Sequence, residues 1–284
     1  MNTIQLLNKG IKKLKTKKIR TSQLDTEIIL SKILNKTREK MLISLNQKIN
    51  DRNILDFNRL ILRRLKKEPI ALILNEKEFW SKNYEVNKST LIPRPETELM
   101  VESLVKIYKN KKLSIIDIGT GSGCILLSLL SELKDSYGVG LDISKDAIKI
   151  AKKNAKKHNI LNNVRFINKS LNDIHNQKYD LVVSNPPYIQ TRDIKYLDDD
   201  IKMHEPKIAL DGGNDGLDLI KKVIYKTKNI LKLNGRLALE IGNKQSLKVS
   251  EILYKNNFRI ENIIRDYDDN IRCFISKYNG RERL

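Results

Sequence analysis

The chain has 284 residues, 40% of them hydrophobic and 31% charged, with a formal net charge of +21. This length suffices for one sizeable core plus a smaller module, and no apolar run is long enough to cross a bilayer. Its two cysteines, Cys124 and Cys273, are too few for a disulfide framework, which is typical of the cytoplasm. The first residues lack the regions of a signal peptide. The histidines, His158, His175 and His204, show no ligand spacing, so we expect no metal site.

The positive charge is unevenly distributed. Residues 1–70 contain 18 Lys and Arg against 6 Asp and Glu, a net charge of +12, which leaves +9 for the rest of the chain. One interpretation is a basic face on the N-terminal part that meets an acidic or RNA-rich partner. The other is compositional drift in an AT-rich genome, since Lys, Ile and Asn are all abundant. The sequence leaves both open.

The N-terminal region shows apolar residues at helical spacing and no strand signal. Predicted helices cover residues 3–14, 22–34, 37–45 and 51–65. We interpret residues 1–70 as a small helical bundle whose expected role is binding, because it contains no catalytic constellation.

A proline, Pro69, marks the end of this bundle. Short runs at residues 70–74, 78–80 and 84–86 then predict two short strands joined by polar residues. We therefore expect a β-hairpin linker over residues 71–92 and a second domain over residues 93–284.

The second domain alternates apolar runs with helical patterns, which is typical of an α/β sheet. After a proline-rich segment at 91–98, the predicted helices cover residues 99–108, 125–133, 145–159, 217–231 and 245–256. The predicted strands cover residues 113–118, 137–141, 163–168, 179–183, 236–241, 258–265 and 271–277. The stretch 191–210 is long and irregular and runs into the segment 205–218, so we expect a loop over the site there.

A glycine-rich turn, Gly119-Thr120-Gly121-Ser122-Gly123, joins the first strand of this domain to a helix. Such a turn lets a ligand approach the backbone and points helix N–H groups at it. The dinucleotide fingerprint would place its third glycine at position 124, which is Cys, so an NAD site is disfavoured. Asp142 ends the next strand, where an acidic residue commonly binds ribose hydroxyls. Together these features predict a nucleoside-type cofactor.

The stretch Asn185-Pro186-Pro187-Tyr188 ends another apolar strand. Prolines fix the backbone in an extended shape at the sheet edge where ligands bind in α/β folds. The Asn185 side-chain oxygen and the Pro186 carbonyl are two acceptors that can hold both hydrogens of one planar –NH2 group. That grip would aim the nitrogen lone pair at an electrophile. The alternative is a simple strand-ending turn.

In this order, Asp117 with the glycine-rich turn, Asp142 and the Asn185 motif resemble class I S-adenosylmethionine-dependent methyltransferases that alkylate a planar amine. Four further stretches resemble the HemK/PrmC family: Glu68-Pro69-Ile70-Ala71, Glu78-Phe79-Trp80, Ile92-Pro93-Arg94-Pro95-Glu96-Thr97-Glu98 and Glu205 to Asp218. The resemblance covers the whole chain. That family methylates the side-chain nitrogen of the glutamine in the Gly-Gly-Gln loop of peptide chain release factors.

The resemblance implies a Rossmann-like seven-stranded sheet, S-adenosylmethionine as the cofactor, and release factors as partners gripped by the helical domain. It also implies a cytoplasmic monomer without a stable nucleic-acid partner or a membrane. Cofactor binding would fall to Gly119, Thr120, Gly121, Ser122, Gly123, Asp142 and Asn185. The catalytic residues would be Asn185, Pro186, Pro187 and Tyr188, of which Asn185 and Pro186 would hold the glutamine amide and Tyr188 would shape the pocket. Ser170 and Leu171 stand where the family has an Asp and an aromatic residue beside the adenine.

Two alternatives remain. The Asn-Pro-Pro-Tyr motif and the +21 charge also fit a methyltransferase for an exocyclic amine of DNA or rRNA, although no target-recognition domain is visible. The departure at Ser170 and Leu171 would also fit a binding module that has kept the fold and lost the cofactor.

Overall fold

The computed structural model describes residues 1–174 and 177–280. His175, one of the histidines without ligand spacing, lies outside these residues. The chain divides into two compact units. The first comprises Met1–Glu76 and Asp198–His204, and the second comprises Lys77–Leu197 and the residues from Glu205 onward. No helix in the described ranges is long and apolar enough to cross a membrane.

The first unit is built from helices α1 (Thr3–Thr16), α2 (Ser22–Ile33), α3 (Arg38–Ile43), α4 (Asp51–Leu65) and α5 (Ile70–Leu74). Asn2, Thr37 and Asn50 cap three of them by accepting hydrogen bonds from first-turn N–H groups. Apolar residues every three or four positions line one face of α1 and are buried. Gly10 on this face permits close packing, because a Cβ atom there would lie 2.6 Å from Thr26 and 2.7 Å from Phe57.

The strand predicted at residues 70–74 is wrong, because this run forms α5. Its first turn bonds back to Pro69, and Asn75 ends it in the left-handed conformation with φ 55°. Arg63 donates hydrogen bonds to the carbonyls of Leu72 and Ile73, both at 3.2 Å, so it caps the C-terminus of the helix. A short apolar run cannot by itself distinguish helix from strand, and here tertiary contacts decide.

Part of the predicted loop also differs from expectation. Residues 198–204 group with the first unit and contain α9 (Asp199–Lys202). The buried guanidinium of Arg64 on α4 holds them, since it donates to Asp25 and to Asp200, each at 2.7 Å. Leaving a buried charge unpaired is costly, so Arg64 requires both carboxylates.

The second unit starts with a hairpin of β1 (Glu76–Phe79) and β2 (Lys82–Glu85), followed by α6 (Pro95–Ile107). The remaining strands are β3 (Ser114–Ile118), β4 (Tyr137–Asp142), β5 (Val164–Asn168), β6 (Tyr179–Ser184), β7 (Leu231–Glu240), β8 (Phe258–Arg265) and β9 (Ile271–Tyr278). The remaining helices are α7 (Cys124–Glu132), α8 (Lys145–Lys157), α10 (Asp218–Ile230) and α11 (Ser246–Lys255). The predicted boundaries at residues 70 and 92 stay predictions.

Strands β3 to β9 form one sheet, which has seven strands in the described residues, in the order β5-β4-β3-β6-β7-β9-β8. Strand β9 runs antiparallel to both its neighbours, and the other pairings are parallel. Leu181 and Val183 of β6 pack on the face with α7 and α8, and Val182 packs on the face with α10 and α11. The predicted seven-stranded Rossmann-like sheet is confirmed. The strand order reverses between β3 and β6, which is where ligands bind in such sheets.

Candidate active site

A cavity of about 270 Å³ opens at the carboxyl ends of β3, β4 and β6. The glycine-rich turn after β3, Asp142 at the end of β4 and the Asn185 motif after β6 all line it. The register places Ile118 beside Ser184, so these two strands end side by side. Residues that are far apart in the sequence therefore meet at the predicted edge of the sheet.

The glycine-rich turn adopts a conformation that favours glycine. Gly119 and Gly121 have φ values of +77° and +55°, and a Cβ atom on either would meet no heavy atom closer than 4.0 Å. Their backbone therefore faces open space where a ligand can approach. Gly123 differs, because a Cβ atom there would lie 3.2 to 3.4 Å from Leu127, Ala151 and Phe166. Thr120, Ser122 and Cys124 line the cavity, whereas Gly123 packs against the interior.

Asp142 links the end of β4 to the glycine-rich turn. Its carboxylate accepts one hydrogen bond from Gly121 N at 2.9 Å and one from Ser144 N at 2.8 Å. Burial raises the pKa of this carboxyl, although both backbone hydrogen bonds oppose the shift. Each carboxylate oxygen can accept a second hydrogen bond, so Asp142 can also bind hydroxyl groups of a ligand in the cavity.

Two buried polar atoms beside the turn have no hydrogen-bond partner among the described atoms: Asp117 Oδ1 and Ser122 Oγ. The other Asp117 oxygen accepts from the Thr120 hydroxyl at 2.7 Å. Burial raises the pKa of Asp117 to about 7. Of the two, only Ser122 lines the cavity, so its hydroxyl can bind a polar ligand there, whereas Asp117 is fully buried behind the turn.

The Asn185 side chain is held by Thr97, which also lines the cavity. Its Nδ2 donates to Thr97 Oγ1 at 3.3 Å, and the Thr97 hydroxyl donates to Glu240 Oε2 at 2.7 Å. Burial raises the pKa of Glu240 to about 7. Because the amide nitrogen is engaged by Thr97, the Asn185 oxygen is left for a ligand. Pro186 and Pro187 line the cavity next to it.

Tyr188 is not among the described residues that line the cavity. Its ring packs against Gly242, where a Cβ atom would lie 2.9 Å from Tyr188 Cδ2. Burial raises the pKa of Tyr188 to about 12, so its hydroxyl stays protonated. The Tyr188 ring packs against the apolar cluster on one face of the sheet.

The segment 205–218 fixes the Asn185 motif from outside the sheet. Gly212 N donates to Ile189 O at 2.7 Å, and Gly212 lies so close that a Cβ atom would be 2.8 Å from Pro187 O and Gly216 O. Gln245 Nε2 donates to both Tyr188 O and Gly216 O, at 3.0 and 3.1 Å. This part of the predicted loop thus supports the motif.

Glu205 starts the same segment and is buried. It accepts from Ile92 N at 3.0 Å and from Arg94 Nη2 at 2.6 Å. These bonds position the proline-rich segment, and Pro93 and Arg94 from it line the cavity.

Ser170 and Leu171 both line the cavity. The Ser170 hydroxyl accepts from Asn172 N at 3.2 Å and so caps a short 3-10 turn. The Leu171 side chain is buried in the apolar cluster that covers one face of the sheet. Their predicted place beside the adenine stays a prediction.

Comparison with known proteins matches both units. Residues 5–74 match the PrmC N-terminal domain, and residues 109–274 match a methyltransferase domain. The chain is 39% identical over 266 residues to the release factor glutamine methyltransferase of Buchnera aphidicola subsp. Baizongia pistaciae, covering 93% of this chain and 95% of that protein. The chain belongs to the release factor glutamine methyltransferase family.

The chain is also 37% identical over 300 residues to a bifunctional methyltransferase of Rickettsia felis, covering 95% of this chain and 57% of that protein. It therefore spans a little over half the length of such relatives. A crystal structure of a methyltransferase from Pyrococcus furiosus superposes with a TM-score of 0.54 at 19% identity, covering 79% of this chain and 99% of that one. The predicted S-adenosylmethionine-dependent methyltransferase fold is confirmed.

The sequence alone did not assign Thr97, Glu240 or Gln245 to the site. Thr97 lies within the proline-rich stretch that supports the family resemblance, and this was a usable signal. Glu240 is an acidic residue at the end of an apolar strand, as Asp142 is. Gln245 carried no signal, because it looks like the start of an ordinary helix.

Proposed function

We propose that this protein transfers a methyl group from S-adenosylmethionine to the side-chain amide nitrogen of the glutamine in the Gly-Gly-Gln loop of peptide chain release factors. Asn185 carries the proposal: Thr97 engages its amide nitrogen, so its oxygen can accept from an –NH2 group at the cavity. Family membership supports the choice of substrate.

The residues of the cofactor end fit S-adenosylmethionine. Gly119 and Gly121 leave room for it, and the Ser122 hydroxyl in the cavity lining would offer a polar group to its methionine part. Asp142 would accept from its ribose hydroxyls. Bound S-adenosylmethionine supplies an electrophilic methyl group.

The chain contributes orientation and electrostatics. Asn185 Oδ1 and the Pro186 carbonyl would each accept one N–H of the glutamine amide, and this grip directs the nitrogen lone pair toward the methyl group. As positive charge develops on nitrogen, both acceptors bind the N–H groups more strongly, so they stabilise the transition state more than the ground state. An N-alkylated amide cation is strongly acidic, so its proton can leave after transfer.

The helical unit is the part we assign to release-factor docking. It contains the matched PrmC N-terminal domain and carries a net charge of +12 over residues 1–70. We take the enzyme to act as a cytoplasmic monomer, since its substrate belongs to the translation machinery.

The test is methyl transfer from labelled S-adenosylmethionine to a release factor, beside its Gln→Ala variant in the Gly-Gly-Gln loop. We expect label on the first and none on the second. Purified rRNA and DNA serve as competing acceptors in the same assay. Label on either nucleic acid, with none on the release factor, would overturn the proposal.

A further inference from the structure

Three polar side chains from distant segments of the second unit form a hydrogen-bonded chain that ends at Asn185. Glu240 lies at the end of β7 and Thr97 in the first turns of α6, and both are buried. Thr97 bridges the other two, at 2.7 Å to Glu240 Oε2 and 3.3 Å to Asn185 Nδ2. Of the three, Thr97 and Asn185 line the cavity.

The ionised carboxylate of Glu240 decides which group donates in each hydrogen bond of this chain. An ionised carboxylate only accepts hydrogen bonds, so the Thr97 hydroxyl must donate its single proton to Glu240. The Thr97 oxygen can then only accept from Asn185, and among Asn185 side-chain atoms only Nδ2 donates. The amide is thereby prevented from turning over, and its oxygen stays on the side of the ligand.

We propose that Thr97 and Glu240 are positioning residues that hold the Asn185 amide with its oxygen toward the substrate, and that they thereby make the site select a glutamine amide over a glutamate carboxylate. This inference rests on the proposed function. A glutamate carboxylate has no N–H group, so its oxygens would face the Asn185 oxygen and the Pro186 carbonyl without a proton between them. An Asn185 side chain turned by 180° would instead point its N–H donors at the ligand and would bind the carboxylate.

The selection should weaken in acid. Burial raises the pKa of Glu240 to about 7, and a protonated Glu240 can donate to Thr97, which frees the Thr97 proton for the Asn185 oxygen. The hydrogen bond from Thr97, the charge of Arg272 and a direct interaction with the Asn185 amide oppose this protonation, and Glu96 favours it. The titratable and charged groups coupled to Glu240 from the neighbouring elements are Glu96 on α6, Cys124 on α7, Tyr188 after β6, and Arg272 and Cys273 on β9.

The test compares two forms of a release factor, with Gln and with Glu in the Gly-Gly-Gln loop. Dissociation constants are measured on the full-length enzyme saturated with S-adenosylhomocysteine, so that no turnover occurs. For the wild type at pH 8 we expect the Glu form to bind about tenfold more weakly or worse, with this ratio shrinking toward pH 6. Thr97→Val should move the ratio toward one at both pH values and slow methyl transfer, with S-adenosylmethionine affinity unchanged; Glu240, which also interacts with the Asn185 amide directly, retains part of the orientation.

Two Thr variants serve as controls. Thr97→Ser keeps the hydroxyl and should restore the wild-type ratio, which a merely structural role of the methyl group would not predict. Thr227→Val makes the same substitution at a buried threonine whose hydroxyl has no partner among the described atoms, and it should behave as wild type. If Thr97→Val does not fold, Glu240→Gln takes its place. A glutamine can donate a hydrogen bond to Thr97, so the Thr97 hydroxyl is then free to donate to the Asn185 oxygen.

The outcomes separate the two proposals. A Thr97→Val enzyme, or the Glu240→Gln enzyme in its place, that keeps the wild-type ratio would overturn the positioning role while leaving the proposed function intact. A wild-type enzyme that neither methylates nor binds the Gln form would overturn the proposed function, and the positioning role with it.

Discussion

The two ends of the cavity are built in different ways. The end that we propose for the cofactor, called the cofactor end, uses backbone: a glycine-rich turn with left-handed residues, and Asp142 bonded to two main-chain N–H groups. The other end, which we propose for the substrate amide and call the acceptor end, uses side chains from separate segments. Thr97, Asn185 and Glu240 there form one hydrogen-bonded chain. The first set lies within one strand-helix-strand unit, residues 114–142. The second depends on the tertiary fold, so substitutions at the two ends should separate cofactor binding from turnover.

The sharpest separation is expected for Asn185→Ala. The substitution removes one of the two acceptors for the substrate –NH2 group and leaves the glycine-rich turn and Asp142 in place. We expect kcat to fall about a hundredfold or more, as for the loss of one oriented polar contact at a reacting group. Calorimetry should show nearly unchanged S-adenosylmethionine affinity. A near-native kcat would refute the role of Asn185.

Asp142→Ala should give the opposite result. Loss of the carboxylate that we propose for the ribose hydroxyls should weaken S-adenosylmethionine binding about tenfold to a hundredfold, as expected for hydrogen bonds to a charged group. At saturating cofactor, kcat should change little. Asp142→Asn is the control, because it keeps an acceptor oxygen and should lose less affinity. Unchanged affinity in the Ala variant would contradict the ribose assignment.

The same contrast explains what the sequence could predict. The glycine-rich turn and Asp142 follow their strands directly, so spacing along the chain was enough to place them. The partners of Asn185 could not be found in this way, because Thr97 and Glu240 are 88 and 55 residues away and meet it only through the sheet. The helix at 70–74 was mistaken for a strand because its capping by Arg63 is also a tertiary contact.

Gly212 tests whether the segment 205–218 supports only the acceptor end. A Cβ atom at this position would lie 2.8 Å from Pro187 O, Gly216 O and Tyr188 Cα, which are backbone atoms and cannot turn aside. We expect Gly212→Ala to destabilise the protein by about 1–3 kcal/mol, as for overpacking, and to lower kcat by displacing Pro187 and Tyr188. S-adenosylmethionine affinity of the folded fraction should persist. A loss of affinity equal to the loss of turnover would show that the segment supports both ends.

The smallest expected effect is a dependence of protein stability on pH. It separates the contribution of Glu240 from that of Asp117. Burial raises the pKa of both Asp117 and Glu240 to about 7, so between their ordinary values and pH 7 the folded state binds more protons than the unfolded state. Stability should therefore fall as pH rises from about 5 to 8. Glu240→Gln removes only the contribution of Glu240, so its free energy of unfolding should fall less over this interval, by about 1 kcal/mol or more.

Urea unfolding at pH 5 and pH 8 measures this difference, and Glu102→Gln, an exposed glutamate on α6, is the matched control. The control should follow the wild type. If Glu240→Gln also followed it, Glu240 would be ionised across the whole range. The hydrogen-bonded chain at the acceptor end would then keep one direction at all these pH values, and its selection for an amide would not weaken in acid.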